Sequence, residues 1–271
     1  ANARAHLAAG LEGLVVTGST GEAALLDSAE RCALVETARE IVPSGKLLIV
    51  GTGAESTRTC LQQTRDAASR GADAVLVVAP HYYGGAMTAD ALRAHYRRVA
   101  DESPVPVVLY SIPKYMHFSL PPALVAELAL HENVIGIKDS SGQPDQLAAY
   151  LQAQSDSFTV LTGNAPLFHH SLKAGAPGGI LAVALFAAGL TMDVYTSFLQ
   201  GDDATATAAQ ARMSPLGAKI VGELGIPGVK AAMDQVGLNG GSVRLPLRPL
   251  APEQQRAVDE LLRNAELAAA V

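Results

Sequence analysis

The sequence predicts an α/β fold: a (β/α)8 barrel with a helical extension at its C-terminal end. Three observations carry this expectation. Short, continuous apolar runs rich in Val, Ile and Leu recur at roughly 20 to 35 residues, the spacing of a βα repeat. Each run is bounded by glycine or polar residues and is followed by a helical pattern, as in parallel strands buried on both faces. The length, 271 residues, suits a barrel of about 250 residues, and no stretch reads as a linker.

Taken in order, residues 1–10 read as the end of a helix with Gly10 as its stop. Strands are expected at 13–16, 47–51, 74–79, 105–110, 134–138, 158–162 and 179–183. Helices are expected at 28–41, with Ser28 as N-cap, and at 56–70 and 89–100. These runs number one fewer than a closed barrel needs, and the chain opens inside a helical pattern. The first barrel strand is therefore expected upstream of Ala1. Beyond Val183 the pattern turns helical, at 190–199, 204–224, 229–236 and 252–268. The organisation expected is a barrel over 1–185 and C-terminal helices over 186–271. An open parallel sheet is the rival architecture.

Composition narrows the function. Apolar residues make up 49% of the chain, Trp is absent, and the net charge of -6 with both signs scattered offers no basic surface for nucleic acid. Cys32 and Cys60 are too few for a disulfide framework or a metal knuckle, which fits a reducing, cytoplasmic setting. No run is long and apolar enough to cross a bilayer, and 1–10 has no signal-peptide architecture. No HExxH or carboxylate cluster occurs, and adjacent His169 and His170 diverge on a helix, so no metal is expected. His95 and His131 read as surface or otherwise satisfied residues, and Lys230 as a helix-surface lysine.

The centre of the argument is N-V-I-G-I-K-D-S-S-G at 133–142. A buried strand there ends in Lys138. Alternation places Val134, Gly136 and Lys138 on one face and Ile135 and Ile137 on the other, so Lys138 points into the middle of the fold. An ammonium there loses hydration, and desolvation favours the free amine that imine chemistry requires. A lysine that merely clears the sheet into solvent is the alternative.

Sites in such barrels form where strands end. The residues gathered there are Ser19 and Thr20, then His81, Tyr82 and Tyr83, then Tyr110, then Lys138, then Gly163 and Asn164. Tyr110 beside Lys138 could relay a proton, or simply cap the core. G-S-T-G-E at 18–22 lacks the ending of a P-loop, yet its hydroxyls and loop amides suit a small carboxylate; a hydroxyl-capped turn is the other reading.

Three ordered motifs, G-S-T-G-E at 18–22, L-Y-S-I-P at 109–113 and G-I-K-D-S at 136–140, resemble the dihydrodipicolinate synthase and N-acetylneuraminate lyase family of class I pyruvate-dependent aldolases. The resemblance covers about 11–250. It implies that Lys138 forms a Schiff base with a 2-oxo acid and that Tyr110 moves protons. It further implies that Ser19 and Thr20 hold the carboxylate or pass on the proton, with Ser140, Gly163 and Ile180 lining the substrate. Tyr82 corresponds to a tyrosine lent across a dimer interface, and the family suggests a homo-oligomer, a dimer of dimers. No separate cofactor is implied beyond the lysine imine.

Within the family, A-P-H-Y-Y-G-G and L-G-I-P-G-V-K-A-A-M-D most resemble 4-hydroxy-2-oxoglutarate aldolases. Synthases of the family carry an arginine two residues after the proline of the tyrosine motif; here Tyr115 stands there. Lys114 or His117 could replace that cation. The expected activity is cleavage of a 4-hydroxy-2-oxo acid to pyruvate and an aldehyde, glyoxylate for the named substrate. A synthase, an aldolase or dehydratase of 2-oxo-3-deoxy sugar acids, and a silent paralogue that only binds a 2-oxo acid are the alternatives.

Overall fold

The computed structural model describes residues 1–267. Six parallel strands form one sheet in sequence order: β1 (Gly13–Val16), β2 (Leu47–Gly51), β3 (Ala74–Val78), β4 (Val107–Ser111), β5 (Val134–Asp139) and β6 (Thr159–Thr162). Helices α1 (Asn2–Ala8), α2 (Ser28–Ile41), α3 (Thr57–Ser69), α4 (Ala89–Glu102), α5 (Pro113–Met116), α6 (Pro122–Leu128), α7 (Pro144–Leu151) and α8 (Phe168–Lys173) fill the connections. Then come α9 (Ala184–Leu199), α10 (Asp203–Pro215), a π-helical segment (Leu216–Leu224), α11 (Gly225–Gln235) and α12 (Pro252–Asn264). A parallel sheet with helical crossovers of this kind is the curled wall of a barrel.

The strands form for the reason the sequence indicates. Val75, Val77, Val107, Leu109 and Ile137 are wholly buried, and helix faces carrying Val35, Leu61, Leu92, Val99, Val125 and Leu147 cover them. Removing such surface from water stabilises by about 25 cal/mol per Å². A second core, running from Ala165 and Phe168 through Val183, Val194, Met213 and Ile220 to Leu262, joins α8 to the C-terminal helices.

Five expectations need correction. The strand expected at 179–183 is reduced to a bridge between Gly179 and Thr162, made by the Thr162 N–H on the Gly178 carbonyl at 3.2 Å and the Ile180 N–H on the Thr162 carbonyl at 2.9 Å. Leu181 and Ala182 instead turn to accept the first N–H groups of α9, which takes the backbone out of any ladder. The N-cap of α2 is Asp27, not Ser28: its carboxylate accepts the Glu30 N–H at 2.9 Å while Glu30 answers the Asp27 N–H at 3.0 Å. The helix expected over 204–224 breaks at Pro215, whose ring removes a donor, and the chain continues as a π-helix. The helix expected over 252–268 ends at Asn264, and residue 268 lies outside the described residues.

The fifth correction concerns the face of β5. Val107 pairs with Val134 but Val108 pairs with Gly136, so Ile135 is an extra residue, a bulge, and is 36% exposed. Alternation resumes beyond it, with Ile137 and Asp139 buried toward the helices and Gly136 and Lys138 on the opposite face. Helical cover is thus provided for Ile137 alone, not for the expected Ile135 and Ile137 pair.

Candidate active site

All six strands run the same way, so their C-terminal ends share one edge of the sheet. Register brings the two central residues together there: Tyr110 and Lys138 are direct partners on β4 and β5. The Lys138 ammonium sits over the Tyr110 ring, 4.3 Å from its centroid. That contact offers the cation a π face in place of lost water. Tyr110 is 5% exposed, whereas Lys138 is half-buried and so reachable from the mouth.

Gly163 forms the floor beneath this lysine. A Cβ at that position would lie 1.9 Å from the Ser140 Oγ and 2.8 Å from the Lys138 Cε, so only glycine leaves room for both. The backbone is pinned there, with the Gly163 N–H on the Asp139 carbonyl at 2.6 Å and the Ser140 N–H on the Ser111 carbonyl at 2.9 Å. Lys138, Tyr110, Ser140 and Gly163 therefore make one cluster.

The expected carboxylate loop, Ser19 and Thr20, follows β1 and is half-buried. The Glu22 N–H closes it onto the Ser19 carbonyl at 3.2 Å. Thr17, left-handed at φ 51, starts it and donates its hydroxyl to the Gly51 carbonyl at 2.8 Å. Gly51 has to be glycine, because a Cβ there would stand 2.2 Å from the Thr17 carbonyl oxygen. Ile180 lies beside Thr162 at the end of β6, through the N–H bond already described.

Tyr82 is 78% exposed and meets Tyr83 edge-on at 5.0 Å between ring centroids. Glu55 holds this loop by accepting the His81 and Tyr82 N–H groups at 3.0 and 2.9 Å. Asp139 orders the turn after Lys138 by accepting the Ser141 N–H and hydroxyl, each at 2.9 Å, and burial raises its carboxyl above the ordinary range. The sequence reading passed over both acids. The Asp-x-Ser turn was legible in D-S-S-G, but Glu55 lies 26 residues before the amide of His81 and left no local signal.

Around the expected distal end, Tyr115 is 38% exposed, and desolvation of its hydroxyl followed by the neighbouring Tyr110 phenol pushes that hydroxyl above the usual value. Lys114 turns away, donating to the Gly222 carbonyl of the π-helical segment at 2.6 Å. His117 is exposed and left-handed at φ 63, capping α5. Of the two expectations for His95, surface or satisfied, the second fits: it is buried, bonded through Nδ1 to the Thr57 hydroxyl at 2.9 Å, and held neutral by a value lowered to about 4 through burial. Lys230 is no free surface lysine: it pairs with Glu22 at 2.6 Å. Cys60 is buried, its thiol pushed up to about 12, while Cys32 is only half-buried. Among the described residues, no group of three or more His, Cys, Asp or Glu is gathered as metal ligands, and no helix is long and apolar enough to cross a membrane.

Comparison with known proteins bears on the family and the fold. The model of the dihydrodipicolinate synthetase family matches residues 1–265. A 4-hydroxy-tetrahydrodipicolinate synthase of Xanthomonas axonopodis pv. citri is 38% identical over 96% of this chain and 85% of its own length. A namesake from Legionella pneumophila is 33% identical over 97% of this chain and 90% of its own. Among solved structures, a dihydrodipicolinate synthase from Thermotoga maritima superposes with a TM-score of 0.92 at 30% identity, over 98% of this chain and 91% of the other. A prophage protein of the same family from E. coli K12, solved in complex with pyruvate, gives 0.92 at 27% identity over the same shares. Since the match runs through both the strands that carry Tyr110 and Lys138 and the helices beyond them, this chain belongs to the dihydrodipicolinate synthetase family, a family of class I pyruvate-dependent aldolase enzymes.

Proposed function

We propose that Lys138 carries a 2-oxo acid as an imine and that the enzyme cleaves 4-hydroxy-2-oxo acids, such as 4-hydroxy-2-oxoglutarate, to pyruvate and an aldehyde. The observation that carries the reading is the apposition of Lys138 and Tyr110 in register at the open edge of the sheet. An amine with a phenol against it, reachable from outside but backed by a buried wall, is what imine formation and proton relay require.

The amine of Lys138 attacks the C2 ketone, water leaves, and the protonated imine becomes the electron sink. Tyr110, aided by Ser19, takes the proton of the C4 hydroxyl; the C3–C4 bond breaks and its electrons enter the imine as an enamine. The aldehyde departs. Protonation at C3 and hydrolysis release pyruvate and restore the amine. Thr20, Ser140, Gly163 and Ile180 line the bound acid, and Tyr82, bare on this chain, completes the site of a second copy in a dimer of dimers. No separate cofactor enters these steps.

The second reading is synthesis of 4-hydroxy-tetrahydrodipicolinate, favoured by the names of the curated relatives. Tyr115 weighs against it, because a phenol replaces the expected cation and Lys114 is committed to Gly222. Borohydride reduction with pyruvate should add the ligand's mass at Lys138, and Lys138→Ala should lose it. Pyruvate release from 4-hydroxy-2-oxoglutarate should exceed formation of the heterocyclic product. An untagged Lys138 removes the imine; the reverse activity order makes the chain a synthase.

A further inference from the structure

The loop that carries Ser19 and Thr20 is left-handed at both ends without glycine: Thr17 has φ 51 and Glu22 has φ 56. A non-glycine residue there is strained, a β-branched threonine most of all, and such backbone persists only when its surroundings over-determine it. At Thr17 the hydroxyl bond to Gly51 does this locally. At Glu22 the restraint comes from more than 200 residues away. Lys230 of α11 reaches the Glu22 carboxylate at 2.6 Å and also donates to the Ser242 carbonyl at 2.5 Å. The Arg244 N–H donates to the same carboxylate at 2.9 Å, while its guanidinium bonds Glu30 and the Leu25 carbonyl. From the other side, Arg31 donates to the Ala23 carbonyl at 2.9 Å and to that of Gly51 at 2.6 Å.

The Glu22 and Lys230 side chains are withdrawn from water, 10% and 20% exposed. A pair so placed adds little net stability, because desolvation offsets the attraction, but it fixes geometry. Burial works against the Glu22 charge, yet the Lys230 and Arg244 contacts outweigh it and hold the carboxyl below its usual range. The mechanical link to the site is short. Glu22 donates its own N–H to the Ser19 carbonyl, and Ala23 closes onto Gly18 at 3.3 Å. Rotating Glu22 out of its left-handed conformation rotates Ser19 and Thr20 with it.

We propose that Glu22 is a positioning residue: clamped by Lys230 and Arg244 of the C-terminal region, it sets Ser19 and Thr20 to receive the carboxylate of the 2-oxo acid. The C-terminal helices are thereby part of the binding machinery rather than an appendage. This rests on the Lys138 imine reading, and pyruvate is the probe.

The test compares the full-length wild type with Lys230→Met, Glu22→Gln, Lys230→Arg and Lys219→Met, the last removing an exposed pair with Glu223. Two readouts are taken: pyruvate dependence of borohydride trapping at Lys138, and hydrogen exchange of the amides at 18–23. Lys230→Met and Glu22→Gln should raise the pyruvate concentration for half-maximal trapping about tenfold, the loss of one charge-assisted hydrogen bond, with less change at saturation. Exchange at 18–23 should quicken in both, while Lys230→Arg recovers and Lys219→Met matches the wild type. Unchanged exchange in Lys230→Met overturns the clamp. Faster exchange with equal half-saturation overturns its role in binding. A wild type that pyruvate fails to tether overturns the imine reading, and the carboxylate role with it.

Discussion

Gly163→Ala offers the sharpest test of how the lysine is seated. The added Cβ would stand 1.9 Å from the Ser140 Oγ, 2.8 Å from the Lys138 Cε and 3.1 Å from the Ser140 Cβ. Gly163 is not left-handed, so the substitution strains space and not backbone. The floor cannot sink, because its N–H is bonded to the Asp139 carbonyl. Lys138 and Ser140 must move instead, by on the order of 1 Å to regain ordinary contact. Overpacking of this kind costs about 1–3 kcal/mol, and a displacement near 1 Å at a reacting group costs about 10²-fold in rate. Gly163→Ala should therefore unfold about 2–10 °C lower and tether pyruvate about a hundredfold more slowly. Adding Ser140→Ala removes the worst contact and should restore part of the rate. Gly189→Ala, in α9 with open space around it, is the control; it should gain about 0.5–1 kcal/mol from helix propensity and leave trapping unchanged. Wild-type trapping by a well-folded Gly163→Ala protein would show that Lys138 does not lean on Gly163 when it reacts.

Two further outcomes follow from buried groups. His95 is 6% exposed and has a value of about 4 in place of 6.5, so the unfolded chain takes up its proton first as pH falls. Stability is then complete above pH 6.5 and is lost on descending toward pH 4, by about 3 kcal/mol for this group. Urea unfolding of wild type and His95→Gln at several pH values checks this, and equal slopes between pH 6.5 and 4 would contradict it. Tyr150 donates its hydroxyl to the Leu120 carbonyl at 2.6 Å and accepts from the Ser111 hydroxyl at 3.2 Å, tying down the segment after Tyr110. Tyr150→Phe should cost about 1–2 kcal/mol in denaturant unfolding while leaving pyruvate half-saturation within about twofold; a large kinetic loss at unchanged stability would instead give Tyr150 a part in the site.

The sequence by itself determined the parallel strand pattern, the order of the elements and the pairing of Lys138 with Tyr110. Each depends on short-range periodicity or on which residues end a strand, and both can be read along the chain. It also revealed that Tyr115 stands where a cation was expected. What it could not determine was set by contacts between distant segments. The bulge at Ile135 depends on the register of β4 against β5. The collapse of the 179–183 run into one bridge depends on where the first turn of α9 begins. Lys230 reads as a surface residue because helix periodicity reports a face, not what another element brings to it. The 208-residue separation between Glu22 and Lys230 leaves no local trace; only the closed tertiary structure brings carboxylate and ammonium to 2.6 Å, where burial turns two ordinary charges into one fixed contact.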